Sequence, residues 1–408
     1  MEFKKLGFMP CDILLPKDAD MEKWSCVACD QYTSEPEYWE KAKEIAGDAK
    51  SCLNMIFPEV YLGDNDNERI KNINKTMEEY LSSGTFNVIE NSFIYVERTV
   101  GSGKVRHGIV GAVDLDAYDF NKGSKSLIRA TEGTVLERIP PRVKIRQDAC
   151  LELPHIMLLI DDFNKNVIEP INKSDLEKLY DFDLMQNSGH IEGYKLPGDE
   201  RLKNALESLF DGSDAPFVYA VGDGNHSLAT AKTCWENIKK NLSDAEKENH
   251  PARFALVELV NIHDESLEFE PIHRVVFDCN PIDVMDELKK YYKTNQDGKG
   301  QKITYCYGDE NRTIYVENST QELTVGTLQV FLDEYKKSHT DIEIDYIHGE
   351  DVVADLSKND NTIGFILEAM EKSDLFKGVK SNGALPRKTF SMGEAFEKRF
   401  YIECRKIK

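Results

Sequence analysis

Apolar and polar positions recur along this chain at two spacings, and the two are interleaved rather than segregated. Helical spacing predicts helices over residues 68–81, 173–184, 201–210, 282–292 and 323–337. Alternating runs at 92–100 and 108–120 flank the segment GSGKVRH, the pattern of a hairpin, in which GSGK is a turn and not a nucleotide loop. The closing run RFYIECRKI alternates like a terminal strand. Hairpins beside strand-to-helix units point to an α+β or mixed α/β fold, not to a strictly alternating doubly wound sheet.

One strand-to-helix unit stands out. Residues 217–221 are apolar or aromatic and run into Gly222, Asp223 and Gly224; Leu228, Ala231, Trp235 and Ile238 then follow at helical spacing. Asn225 is the expected N-cap. A glycine turn lets backbone N–H groups approach a ligand, and a helix start adds unpaired donors and partial positive charge, so an anion site is expected at Gly222, Gly224, Asn225 and Ser227. Asp223 and His226 would supply side-chain chemistry there. The segment does not match a phosphate loop, because no Lys-Ser or Lys-Thr follows, and Ser227 stands where a dinucleotide fingerprint has its third glycine. Many such turns carry Gly with no ligand at all.

Charge sharpens this reading. The 408-residue chain holds 73 acidic against 51 basic residues, a net −22, so nucleic acid is a poor partner and local basic clusters carry more weight than usual. Residues 128–146 carry Arg129, Arg138, Arg142, Lys144 and Arg146 against Glu132 and Glu137, a clamp for an anion or else a solvated basic strand face. Glu132 is a candidate base or metal ligand. His273 and Arg274 enter a strand-like run after Pro271, suited to an anion or to a structural histidine, and Arg387 and Lys388 lie in the loop-like front of a basic tail.

The chain is long enough for more than one core, and polar stretches at 198–212 and 293–302 divide it into expected regions 1–198, 199–292 and 293–408. No apolar run is long enough to span a bilayer and the opening residues lack a signal-peptide pattern, so a soluble cytoplasmic protein without membrane partners is expected. Nine scattered cysteines favour free thiols. Cys26 and Cys29 form a C-x-x-C without two further paired ligands, and no dedicated metal site is expected. Ser34 and Glu37 read as a capping box for the helix that follows.

The segments CDQYTSEPEYW, RATEGT, DGNHSLATAK, FEPIHRVV, YIHGED and LPRKTFSMGEAFEKRFYIECRKI together resemble the bacterial family known as domain of unknown function 1015, over nearly the whole chain. That resemblance brings no established activity; members tend to be encoded near serine biosynthesis enzymes, which implies a link to amino-acid metabolism. Around Gly224, Asn225 and His226 the chain is also distantly similar to the partition protein B and sulfiredoxin superfamily, which includes free-serine kinases. There the likeness implies a nucleotide phosphate at the helix start, although Ser227 departs from the arginine that the superfamily places at this position.

The resulting expectation is a small-molecule phosphotransferase with ATP or ADP, and Mg²⁺ arriving with the nucleotide, acting on serine or a relative. Glu132, Asp223 and His226 would carry the chemistry. Arg129, Arg142, His273, Arg274, Arg387 and Lys388 would join the turn in holding the anion. The alternative is a non-catalytic module that senses a metabolite or nucleotide.

Overall fold

The computed structural model describes residues 1–408, and the fold is mixed α+β. The chain forms two compact units, residues 1–267 with 393–408, and residues 268–392. These replace the three regions 1–198, 199–292 and 293–408. Phe254–Asn261 lies in the middle of the larger unit's sheet, between Val105–Asp114 and Met157–Ile160, so residues 199–267 cannot separate from the N-terminal part. The polar stretch at 293–302 is a connection inside the smaller unit, joining Thr294–Asn295 to Gln301–Tyr307 at a sheet edge.

The larger unit is built on an eleven-stranded mixed sheet. Its long central hairpin, Phe86–Thr99 with Val105–Asp114, forms over the runs expected at 92–100 and 108–120, but its burial does not alternate: Ser92–Val96 and Gly108–Asp114 are buried throughout. Apolar side chains fill both faces. One layer centres on Trp24, Trp39, Ile94 and Val110, the other on Phe8, Phe93, Leu158 and Trp235. Burial of such large side chains supplies the main stabilisation, roughly 1.5–3 kcal/mol for each one fully removed from water.

Four pairings bring distant segments together in this unit. Tyr219–Asp223 lies parallel to Ile128–Ala130 and antiparallel to Met157–Ile160, with a register shift between Val221 and Asp223. The C-terminal segment returns to pair Phe400–Tyr401 with Cys26–Val27 and Arg405–Lys406 with Leu151–Glu152. The shift and the returning segment leave His155, Tyr401 and Cys29 beside the end of Tyr219–Asp223.

Several local expectations are corrected. Residues 177–183 form a strand paired with His190–Pro197, not a helix: Leu176, Tyr180 and Leu184 are four apart and satisfy both periods, and Phe182 fills the alternation. Residues 139–146 are a helix and not a basic strand; Pro140 and Pro141 sit in its first turn, where a missing N–H costs nothing. Ser34 caps nothing, because the helix Pro36–Ala46 starts on Pro36 with Glu35 at its N-cap. Arg399–Ile407 forms two short strands, Phe400–Tyr401 and Arg405–Lys406, rather than one.

The smaller unit is an antiparallel six-stranded sheet in the order Thr294–Asn295, Glu310–Val316, Gln301–Tyr307, Ile363–Ile366, His273–Phe277, Glu343–Ile347. Helices Pro281–Tyr291 and Thr324–Ser338, both expected from periodicity, share a core with it through Leu288, Phe331 and Phe365. No helix of the protein is long and apolar enough to cross a membrane.

Candidate functional site

The helix Asn225–Ile238 starts on Gly224, which has φ +77° and holds the N-cap position with no side-chain cap. Asn225 is therefore the first helical residue and not the cap. Its Nδ2 instead donates to Val221 O (3.2 Å) and Thr131 Oγ1 (3.3 Å). The first N–H groups of a helix have no carbonyl four residues back, so an uncapped start leaves donors facing outward together with the positive end of the helix dipole. Asp223 Oδ1 accepts from Gly224 N (2.8 Å), and its Oδ2 lies 3.3 Å from Lys398 Nζ.

The segment 131–135 lies against this helix start. Thr131 Oγ1 donates to Val221 O (2.6 Å), and His226 Nε2 accepts from Val135 N (3.3 Å), which fixes His226 as the Nδ1–H tautomer in that bond. RATEGT and DGNHS thus meet, and Glu132 belongs to the first of these two segments. Two buried polar atoms at this junction, Asn225 Oδ1 and Thr134 Oγ1, have no hydrogen-bond partner in the protein. Buried polar atoms are rarely left in that state without a ligand or other partner.

On the other side of the helix start, Ser227 Oγ lies 3.0 Å from Nε2 of His155. His155 is 6 % exposed, and its Nδ1 lies 2.7 Å from Tyr401 Oη. The Tyr401 hydroxyl donates to Cys29 Sγ (3.1 Å) and accepts from Cys29 N (3.3 Å), so its oxygen takes the Nδ1 hydrogen. Asp30 Oδ2 stands 3.6 Å from Nε2. Burial alone would lower the His155 pKa, but the negative charge of Asp30 close by outweighs it and raises it above the ordinary imidazole value. Burial would likewise raise the Asp30 carboxyl; His155 reverses this and holds Asp30 well below the usual carboxylate range. Cys29 is pushed up to about 12, chiefly by burial, and is not a thiolate.

Ser227, His155, Tyr401 and Cys29 line a cavity of about 150 Å³ whose other walls are largely apolar, including Met55, Phe57 and Leu153. Arg142 also lines it, paired with Glu59 and donating to Arg138 O (2.8 Å). Glu59 is raised by burial, an effect that Arg142 only partly offsets. Arg146 bonds Glu152 (2.5 Å), which also accepts from Arg405 (2.6 Å).

The anticipated residues thus fall into separate groups. Gly222, Asp223, Gly224, Asn225, His226, Ser227, Glu132 and Arg142 gather around the helix start or the adjoining cavity. Arg129 sits on the neighbouring strand, yet its guanidinium donates to Ser126 O (2.8 Å) and Ala215 O (3.1 Å) and covers the Phe217 ring. His273, Arg274, Arg387 and Lys388 belong to the smaller unit. There Arg274 is fully buried and donates to Gln329 Oε1 (3.1 Å), Lys388 O (2.9 Å) and Arg387 O (3.1 Å). Arg387 Nε donates to Tyr346 Oη (3.1 Å), and His273 Nδ1 accepts from Leu367 N (3.1 Å). Arg274 and His273 are thus committed to backbone groups of their own unit, and Arg387 to a side chain of that unit.

The sequence reading set Cys29 aside as a free thiol and passed over Asp30, Glu59, His155, Lys398 and Tyr401. The signal for His155 was present: Pro154-His155 precedes the apolar strand Met157–Ile160, the same pattern that drew attention to His273.

A family model described as protein of unknown function (DUF1015) matches residues 10–335. No curated protein matches the chain. Among solved structures it is similar to a free serine kinase in complex with AMP, at 15 % identity over 74 % of this chain and 93 % of that one, TM-score 0.41. It is also similar to a conserved hypothetical protein from Pyrococcus furiosus (14 %, 74 % and 97 %, TM-score 0.39). SbnI with C-terminal truncation from Staphylococcus aureus matches at 12 % identity over 72 % and 82 %, TM-score 0.36.

Proposed function

The chain belongs to the DUF1015 family, and from the geometry of its larger unit we propose a small-molecule phosphotransferase that binds its phosphate-bearing ligand at the start of helix Asn225–Ile238. The observation that carries this reading is the uncapped helix start on Gly224 together with the unpartnered Asn225 Oδ1 and Thr134 Oγ1. An anion satisfies the free backbone donors, and a ligand hydroxyl or amine satisfies the amide oxygen. The ligand therefore combines phosphate with hydrogen-bond donors, as nucleotides and phosphorylated amino acids do.

In this reading the N–H groups of Asn225, His226 and Ser227 hold phosphate oxygens and Lys398 neutralises their charge. Glu132 is the carboxylate we assign as base, while Asp30, kept ionised beside His155, holds that imidazole in place. Asp223, at the same turn, is the carboxylate we assign to Mg²⁺ carried in by ATP or ADP, once Lys398 turns from it to the phosphate. Phosphoryl transfer chiefly needs such positioning and charge neutralisation. Serine or a related amino acid is the acceptor we propose.

The test is thermal stabilisation by ATP, ADP, phosphoserine and serine, each with and without Mg²⁺, followed by a turnover assay on whatever stabilises. Stabilisation that is lost in Asn225→Leu, together with turnover, is the expected result. Failure of every compound to stabilise the protein would sink the proposal. Stabilisation without turnover would convert it to a regulatory binding module.

A further inference from the structure

Ser227 has the surroundings of an activated hydroxyl. Its Oγ is 3.0 Å from His155 Nε2, and His155 is oriented from behind by Tyr401 Oη at 2.7 Å, which is in turn held by Cys29 N and Cys29 Sγ. Nucleophile, base and orienting group are thus within hydrogen-bond reach in series, the arrangement that makes a weakly acidic serine reactive. The hydroxyl opens onto the cavity that Arg142 also lines. It lies on the first turn of a 14-residue helix, whose positive end favours charge developing on an attacked phosphoryl group.

We propose that Ser227 is a catalytic nucleophile, with His155 as its base, that accepts a phosphoryl group from a small phosphate ester or anhydride. The step is an in-line displacement. Ser227 Oγ bonds to phosphorus, the P–O bond to the leaving group breaks and its electron pair departs with that group, and the hydroxyl proton passes to His155 Nε2. The inference rests on the proposed phosphate site only for how the electrophile is held. The Ser227–His155 geometry stands without it.

Asp30, Asp223 and Glu59 all favour the protonated imidazole, and Tyr401 and Ser227 contact it directly. The base form therefore grows above the ordinary imidazole range, and Ser227 reactivity rises with pH through a raised midpoint.

The experiment treats the full chain with an alkyl fluorophosphonate, an electrophile that needs no cognate substrate. Oγ–P forms, P–F breaks, and fluoride leaves. Tandem mass spectrometry is expected to place the adduct on Ser227, with a rate that climbs with pH and falls about a hundredfold in His155→Gln. Absence of an adduct at Ser227, a rate flat with pH, or an unchanged rate in folded His155→Gln would each overturn the proposal. Should His155→Gln fail to fold, the pH profile of the unaltered protein decides. Nucleotide stabilisation is read separately: if it persists while Ser227 stays unlabelled, only the nucleophile is refuted, and if it is absent while Ser227 is labelled, only the phosphotransferase reading falls.

Discussion

Lys398 Nζ lies 3.3 Å from Asp223 Oδ2, so a residue near the C-terminus supplies the cation at a turn formed in the middle of the chain. Its position is imposed by buried arginines. Arg98 donates to Phe396 O (3.0 Å) and Lys398 O (3.4 Å), Arg106 donates to Glu397 O (3.2 Å), and Glu397 Oε1 accepts from Gly101 N (2.8 Å). Arg98 is driven down to about 9, by burial first and then by the like charge of Arg106.

Replacing Lys398 by Met should weaken binding of a nucleoside phosphate about ten- to a hundredfold, since a hydrogen bond to a charged partner contributes roughly 1.5–3 kcal/mol. Titration calorimetry reads this directly. Lys398→Arg should retain most of the affinity, and an unchanged dissociation constant in Lys398→Met would remove Lys398 from the site.

Arg399 is 2 % exposed and bonds Glu258 at 2.7 Å and Glu403 at 2.5 Å, while Glu403 also accepts from Tyr180 at 2.5 Å. Removing one member of a buried ion cluster leaves a charge without compensation and typically costs about 3–5 kcal/mol. Arg399→Met should therefore lower the unfolding free energy of the larger unit by that amount, read as a lower urea midpoint at an unchanged m-value. A change under about 1 kcal/mol would mean that the cluster tolerates the loss.

The helix start was legible because glycine, small polar residues and apolar periodicity are local signals. RATEGT and DGNHS could each be read alone, and parallel pairing of Ala130 with Val221 brings them together. The roles of Tyr401 and Lys398 were not legible, and the local signal at Pro154-His155 did not disclose what His155 would face, for the same physical reason: all three roles depend on the shifted register beside Asp223 and on the returning C-terminal segment, both set by tertiary pairing. Arg274 shows the reverse. Its position beside His273 suggested anion binding, yet full burial turns its guanidinium toward the carbonyls of Arg387 and Lys388.

His107 Nδ1 lies 3.1 Å from the buried carboxylate of Asp264. The bond to Asp264 raises His107, against burial; burial raises Asp264, but His107 and Ser266 outweigh it and bring it down to about 2. A raised histidine contributes stability that is complete below its unfolded pKa and lost as pH rises through the folded value. A depressed aspartate contributes stability that is complete above its unfolded pKa and lost as pH falls through the folded value. The advantage of the unaltered protein over His107→Gln should therefore be largest between about pH 4 and about pH 6.5 and shrink on both sides. Paired melting curves across pH test this, and a pH-independent difference would contradict it.

Gly224 carries the strictest local requirement at the site. At φ +77° an L side chain is strained by roughly 1–2 kcal/mol, and a Cβ there would also stand 3.0 Å from Cα and Cγ1 of Ile156. Ile156 directly follows His155, so relieving that contact moves the segment that carries the imidazole away from Ser227. Gly224→Ala should therefore destabilise the larger unit by about 1–3 kcal/mol and also slow fluorophosphonate labelling of Ser227. Gly224→Asn tolerates the backbone better and should cost less stability, but it meets Ile156 equally and should slow labelling to a similar extent. Gly133→Ala provides the control, because a Cβ at Gly133 meets nothing within 4 Å. If both Gly224 variants labelled at the original rate, the packing of Gly224 on Ile156 would not govern the Ser227–His155 contact.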